Sequence, residues 1–217
     1  MAKIKKCVIV LSGGIDSAIV AYWAKQQDYQ VYPITFRYGQ IAAKETVAAQ
    51  RVAERLGTIT KVIDFSSLKE IFSTSSLVNR DIPLSAEFSS PIIVPFRNAI
   101  FLSTAVAYAV TVGATYIFYG AQGSDEQFYP DCRREFYETF EKAARLGTCK
   151  EITVKAPFSG IQKSELIQVG KKLGVPFELT WSCYRDEAKQ CGKCESCLNR
   201  KKAFAETGIT DPTSYEE

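Results

Sequence analysis

The sequence predicts an α/β fold: a parallel five-stranded sheet with helices on both faces, followed by a four-cysteine metal segment. Three observations carry this expectation. Short runs rich in β-branched and aromatic residues alternate with longer helical patterns along the chain. The first strand run is apolar without a break over 7–11 instead of alternating, as in a parallel sheet covered on both sides. Four of the seven cysteines (Cys183, Cys191, Cys194, Cys197) gather near the C-terminus, which suits a metal better than a disulfide framework.

Residues 6–11 (KCVIVL) read as a buried first strand, and 17–27 as a helix that can pack through Ala18, Ala21, Tyr22 and Ala24. Residues 31–38 (VYPITFRY) are the second strand, where Pro33 implies a strand start or an edge. A helix over 42–56 stops at Gly57, and 60–65 is the third strand. Residues 66–93, rich in serine with Pro83 and Pro91, break the rhythm and read as a lid or partner-contact segment. An apolar, central helix follows over 98–112, then a fourth strand over 115–119, a helix over 131–146 opened by Asp131, and a fifth strand over 152–155. Residues 163–173 form a helix closed by Gly174 and Pro176, and the cysteine cluster leads into a last helix through about 205.

At 217 residues and 24.2 kDa the chain fits one domain, 1–217, with a metal-binding segment at 181–205 inside it. Its 46% hydrophobic and 24% charged content suits a packed core. No apolar run approaches the ~20 residues of a membrane span. The N-terminal MAKIKKCVIVL is basic and then apolar, but its apolar part is too short for a secretion signal, so a cytoplasmic protein is expected. The net charge of +3 is scattered, which suits a nucleotide substrate and does not call for a duplex-binding surface. Histidine is absent. That removes the usual general base at neutral pH, excludes Ser-His and Cys-His nucleophile schemes, and leaves cysteine and carboxylate as strong metal ligands.

The strongest local signal is Ser12-Gly13-Gly14-Ile15-Asp16-Ser17, between the first strand and the first helix. Two glycines let backbone amides approach an anion closely, and the positive end of the helix converges on the same point. The hydroxyls of Ser12 and Ser17 add donors. Asp16 suits a phosphate only through a cation, which implies Mg2+ bound with ATP. The nucleotide-binding stretch covers Leu11, Ser12, Gly13, Gly14, Ile15, Asp16, Ser17 and Ala18. A plain glycine turn with a capping residue is the alternative for a lone GG; the complete SGGxDS after a strand is more specific. It is neither the P-loop nor the dinucleotide fingerprint. It resembles the PP-loop of N-type ATP pyrophosphatases such as GMP synthetase, asparagine synthetase and tRNA-thiolating enzymes. The resemblance implies an adenine nucleotide alpha hydrolase-like fold, cleavage between the α and β phosphates, and adenylation of a substrate oxygen.

Cys183-x7-Cys191-x2-Cys194-x2-Cys197 supplies four thiolates that can close a tetrahedral site with no open position, so structural Zn2+ is the expected ion, one per chain. An iron–sulfur cluster is the rival, but the ferredoxin run continues with cysteine and proline, and residues 198–202 contain neither.

Further segments, in order, resemble the QueC family, which makes 7-cyano-7-deazaguanine (preQ0). They are Tyr38-Gly39-Gln40, Val94-Pro95-Phe96-Arg97-Asn98, Tyr129-Pro130-Asp131-Cys132-Arg133, Lys163-Ser164-Glu165 and Thr180-Trp181-Ser182-Cys183-Tyr184. The matches span residue 8 to about 205. The resemblance implies a ligase that adenylates 7-carboxy-7-deazaguanine with ATP, lets ammonia displace AMP to give an amide, and activates again to form the nitrile. Chemical grounds then suggest catalytic roles for Asp16, Lys163, Arg97, Asp125 and Asp131. Lys163 would stabilise the departing phosphates. Arg97 would bind phosphate or the substrate carboxylate. Asp125 and Asp131 would face the purine-like ring or handle protons of the amine. The plain alternatives are a solvated Lys163 and a structural Arg97–Asp131 pair. Cys132 as a nucleophile is disfavoured without a histidine. Two places depart from the family pattern: Ile41, Ala42 and Ala43 replace basic residues, and Gln127-Phe128 replaces Ser-Gly, which should reshape the pocket. The competing reading is a QueC-like paralogue, for instance in anti-phage defence, that joins the activated acid to a protein or nucleic-acid amine. A tRNA sulfurtransferase would need a persulfide cysteine and an RNA-binding module. A silent nucleotide-binding module would bind ATP without turnover. Relatives are commonly homodimers, and no membrane partner is implied.

Overall fold

A computed structural model describes residues 4–123 and 125–216. Five parallel strands, β1 (Lys6–Val10), β2 (Gln30–Arg37), β3 (Lys61–Asp64), β4 (Tyr116–Tyr119) and β5 (Thr153–Lys155), lie in the order β3-β2-β1-β4-β5. The helices are α1 (Ile15–Gln26), α2 (Lys44–Arg55), α3 (Arg97–Val112), α4 (Arg134–Thr148), α5 (Lys163–Lys172) and α6 (Glu195–Thr207). The unbroken apolar character of β1 follows from its place at the centre. Val8 and Val10 point into a core shared with α3 and α4, while Cys7 and Ile9 point into a second core shared with α1, α2, α5 and α6.

Each strand and helix expected from the pattern is present, with ends shifted by a few residues. Two expectations are corrected. Pro33 does not mark an edge strand: β2 lies between β1 and β3, and Pro33 pairs with Ile9. The ladder tolerates the proline because β3 joins only from Ile34 onward, so the missing N–H faces a side with no partner yet. Asp131 does not open α4. It lies in a 3-10 turn, Pro130–Cys132, and α4 begins at Arg134; its carboxylate instead accepts from the Asn98 N–H at 3.0 Å and caps α3.

The 66–93 segment is pinned by its own apolar side chains. Phe72, Val78 and Ile92 are buried in the core on the α3 side, and Ile41 N–H bonds to Leu77 O at 2.8 Å. A further correction concerns hydropathy. Ser90–Val112 is long and apolar enough to cross a membrane, contrary to the expectation that no run reaches that length. In the fold its Ala99, Leu102, Ala105 and Ala109 are buried against the sheet, so its apolarity serves the core.

On the opposite face α5 packs closely on α1 through Gly170, where a Cβ would lie 2.7 Å from Phe177 Cζ and 2.8 Å from Ile19 Cγ1. Both neighbours are buried side chains of the core. Gly170→Ala gains up to ~1 kcal/mol of helix propensity but overpacks a filled core at a cost of ~1–3 kcal/mol. The expected outcome is a net loss of stability, read as a lower urea midpoint with unchanged slope.

Candidate active site

Chain order reverses direction across the sheet at β1 and β4, and the crevice beyond their C-terminal ends is where an open α/β sheet leaves room for a ligand. A cleft of ≈ 240 Å³ opens there, lined by the 12–17 loop, the ends of β2 and β4, and residues from α2, α3, α5 and the cysteine segment.

The 12–17 loop leaves the start of α1 without a side-chain cap. Gly13 holds φ +95°, and a Cβ there would sit 2.1 Å from the Glu45 carbonyl oxygen, so no other residue fits between the loop and α2. Ser12 N–H donates to Ser17 Oγ at 3.1 Å, and the two hydroxyls lie 3.0 Å apart, closing the turn from within. Gly14 is the N-cap of α1 and offers no side chain, so the first turn of that helix ends without a side-chain cap. From the other side β4 ends in Gly120, whose missing Cβ would meet Ser17 N at 2.6 Å. Gly120 was not singled out from sequence. Its position directly after a strand in a switch-point fold is the signal that could have found it.

Asp16, in the first turn of α1, pairs with Lys163 at 3.2 Å. Lys163 is held at the start of α5 by a capping box, in which Gln162 and Glu165 exchange side-chain and backbone bonds. The other oxygen of Asp16, Oδ1, is buried and accepts no hydrogen bond among the described residues. A buried orphan acceptor costs ~1–3 kcal/mol, so a cation bound at this oxygen together with phosphate fits the chemistry of the site. Asp125 faces the same pair and takes hydrogen bonds from Gln122, including 3.0 Å from its Nε2. Burial pushes Asp125 up to about 6, the Asp16 charge adding to the rise and Lys163 opposing it.

The far wall holds the other predicted residues. Arg97 donates to Tyr38 OH at 2.9 Å and makes no ion pair within 4.0 Å among the described residues, so the Arg97–Asp131 pair is not formed. Desolvation would lower the Arg97 pKa, but Tyr38, Glu45 and Asp131 outweigh it and keep the guanidinium charged. Phe96, just before it, takes a left-handed φ of 56°, which turns Phe96 outward and starts α3 at Arg97. Asp131 lines the cleft with one oxygen committed to α3. Glu45 was not foreseen; it lines the cleft, and burial pushes it up to about 7 with Arg97 acting against the rise. Burial raises the Cys132 thiol far above its ordinary range, with Asp125 and Asp131 adding to the rise, which leaves it no thiolate character.

The four clustered cysteines are buried, with their sulfur atoms all within 4.8 Å of one another. A tetrahedral M–S distance of ~2.3 Å corresponds to S···S edges of ~3.8 Å, and Cys191 Sγ to Cys197 Sγ is 4.0 Å. Backbone N–H groups of Arg185 and Cys191 point at Cys183 Sγ, and those of Lys193 and Cys194 at Cys191 Sγ, as thiolate ligands require. The cluster can hold a metal ion. Its segment also forms a wall of the cleft through Trp181, Ser182, Tyr184 and Ser196.

The raised Asp125 pKa has a definite sign. An acid whose folded pKa lies above its unfolded value stabilises the fold only while protonated, so this contribution is lost as pH rises from about 4 to about 6. Asp125→Asn keeps an acceptor for Gln122 and removes that cost. At pH 8 it should be more stable than wild type by ~1–2 kcal/mol, with a flatter stability profile between pH 4 and 7 by chemical denaturation.

Comparison with known proteins accords with this geometry. The model of the family described as queuosine biosynthesis protein QueC matches residues 6–208. A protein of Thermoplasma acidophilum named 7-cyano-7-deazaguanine synthase is 41% identical over 98% of this chain and 93% of its own length. A protein of the same name from Psychromonas ingrahamii is 39% identical over 98% and 99%. Among solved structures, the NMN synthetase of Francisella tularensis superposes with a TM-score of 0.54 at 18% identity, covering 95% of this chain and 79% of that one, a likeness of fold. Matched across nearly its whole length, the chain belongs to the queuosine biosynthesis protein QueC family.

Proposed function

We propose that the chain is an ATP-dependent ligase that converts 7-carboxy-7-deazaguanine to 7-cyano-7-deazaguanine. The observation that carries the reading is the uncapped 12–17 loop lining one cleft together with Lys163 and Asp125, in a chain of this family. The substrate carboxylate attacks the α-phosphorus of ATP, pyrophosphate leaves, and an acyl adenylate remains. Ammonia adds to the carbonyl carbon, AMP departs, and a proton is released, leaving the amide. The amide oxygen then attacks the α-phosphorus of a second ATP, a second pyrophosphate leaves, and loss of AMP and protons gives the nitrile.

In this reading the free amides of α1, with Ser12 and Ser17, hold the pyrophosphate end of ATP. Lys163 exchanges its bond to Asp16 for the departing phosphates. Asp16 holds Mg2+, which supplies charge neutralisation at the phosphates. Arg97 anchors an anionic group on the far wall. Asp125 stands at the loop and accepts a proton from the incoming amine, its raised pKa bringing it nearer the working range. Zinc suits the four-thiolate site, where it would tie the 181–205 segment to the core as a structural ion.

Purified protein with ATP, Mg2+, ammonium and the acid should yield AMP, pyrophosphate and the nitrile. ADP with orthophosphate as the products would overturn the reading. AMP without nitrile would move the reaction to an amine on a protein or nucleic acid. Asp16→Asn should lower turnover by about 10²–10³-fold with an unchanged far-UV spectrum. Cys194→Ser should lower zinc content and melting temperature together, and full zinc occupancy in that variant would remove Cys194 from the ligand set.

A further inference from the structure

We infer that Arg200 is a positioning residue for the phosphate loop, acting through the backbone of Trp181. The inference rests on the assignment of the 12–17 loop to the phosphates of ATP.

Arg200 projects from α6 and is fully buried. All five of its N–H donors are used. Nε and Nη2 reach the Asp211 carboxylate at 2.9–3.2 Å, which balances the charge. The remaining donors converge on one stretch of chain: Nη1 on Thr180 Oγ1 at 2.7 Å and Ser182 Oγ at 3.4 Å, and Nη2 on Phe177 O at 3.1 Å. Gln190 grips the same stretch, accepting from Ser182 N–H at 3.0 Å and donating to Thr180 O at 3.2 Å. Between the two residues gripped by Arg200 stands Trp181, whose backbone N–H donates to Gly13 O at 2.9 Å.

That last bond sets a direction. In a trans peptide the C=O and the next N–H point opposite ways, and no cis peptide occurs among the described residues. Holding Gly13 O on Trp181 therefore turns Gly14 N–H the other way, toward Ser12 Oγ on the cleft wall. Gly13, with φ +95° and a glycine after it, has little intrinsic preference of its own. The orientation of this amide, and of the Ser12 hydroxyl that accepts from it at 3.3 Å, is thus imposed from α6. A buried ion pair is in general a poor source of stability against an apolar replacement, whereas a planar five-donor fork can fix two neighbouring residues at once.

Thr180 is buried and lies outside the cleft lining, so it separates the two roles. Thr180→Val removes the 2.7 Å acceptor at nearly constant volume, and Thr180→Ser retains the hydroxyl. Isothermal titration with ATP and with inorganic pyrophosphate should show about tenfold weaker binding for Thr180→Val and near-normal binding for Thr180→Ser. The KM for the acid should stay within twofold, and zinc content should be unchanged. Arg200→Lys, which keeps the charge and loses the fork, should weaken ATP in the same way; if it fails to fold, Thr180→Val decides. A folded Thr180→Val that binds both anions as tightly as wild type overturns the inference, even if its melting temperature falls. Wild type that binds neither anion would instead overturn the loop assignment.

Discussion

The first turn of α1 ends in Gly14 with no side-chain cap, and this helix start opens into a cleft beyond the C-terminal ends of the sheet. Free amides at a helix start attract negative charge, and the macrodipole adds to that attraction. Everything around the cleft answers this constraint. Gly13 and Gly120 lack side chains because α2 and β4 press on the loop from opposite sides. The serine hydroxyls bond to each other and to the loop backbone, holding its shape.

Charge in the cleft is arranged in two groups. Beside the loop, Lys163 balances Asp16, and burial, with the Asp16 charge adding to it and Lys163 opposing, keeps Asp125 up at about 6. Across the cleft Glu45 rises to about 7 beside Arg97. The chain contains no histidine, yet burial places two carboxyl groups near the range in which histidine normally titrates.

The cysteine segment does more than close the C-terminus. One end of it supplies Trp181 to the loop, its middle carries the thiolates, and Tyr184 bonds Glu195 at 2.7 Å on the cleft rim. Arg200 and Asp211 tie the last helix and the tail to the same stretch. The cysteine segment and the 12–17 loop are joined through hydrogen bonds a few residues long.

Local pattern alone determined the five parallel strands, the helices between them, the glycine loop after the first strand and the gathering of four cysteines that can hold a metal. Each depends on neighbours in sequence: an apolar run buried on both faces, glycines after a strand, thiols at short spacing. Tertiary structure decided the rest, because the partners lie far apart along the chain. Asp131 caps a helix that begins thirty-odd residues earlier, and Pro33 is tolerated only because β3 starts one residue later. The 66–93 segment, irregular in pattern, is held by Phe72, Val78 and Ile92 in a core that no local period reveals. Gly120, Glu45 and Arg200 become meaningful only when β4, α2 and α6 are brought against one loop, since a close approach or a shared hydrogen bond is a property of the packed chain.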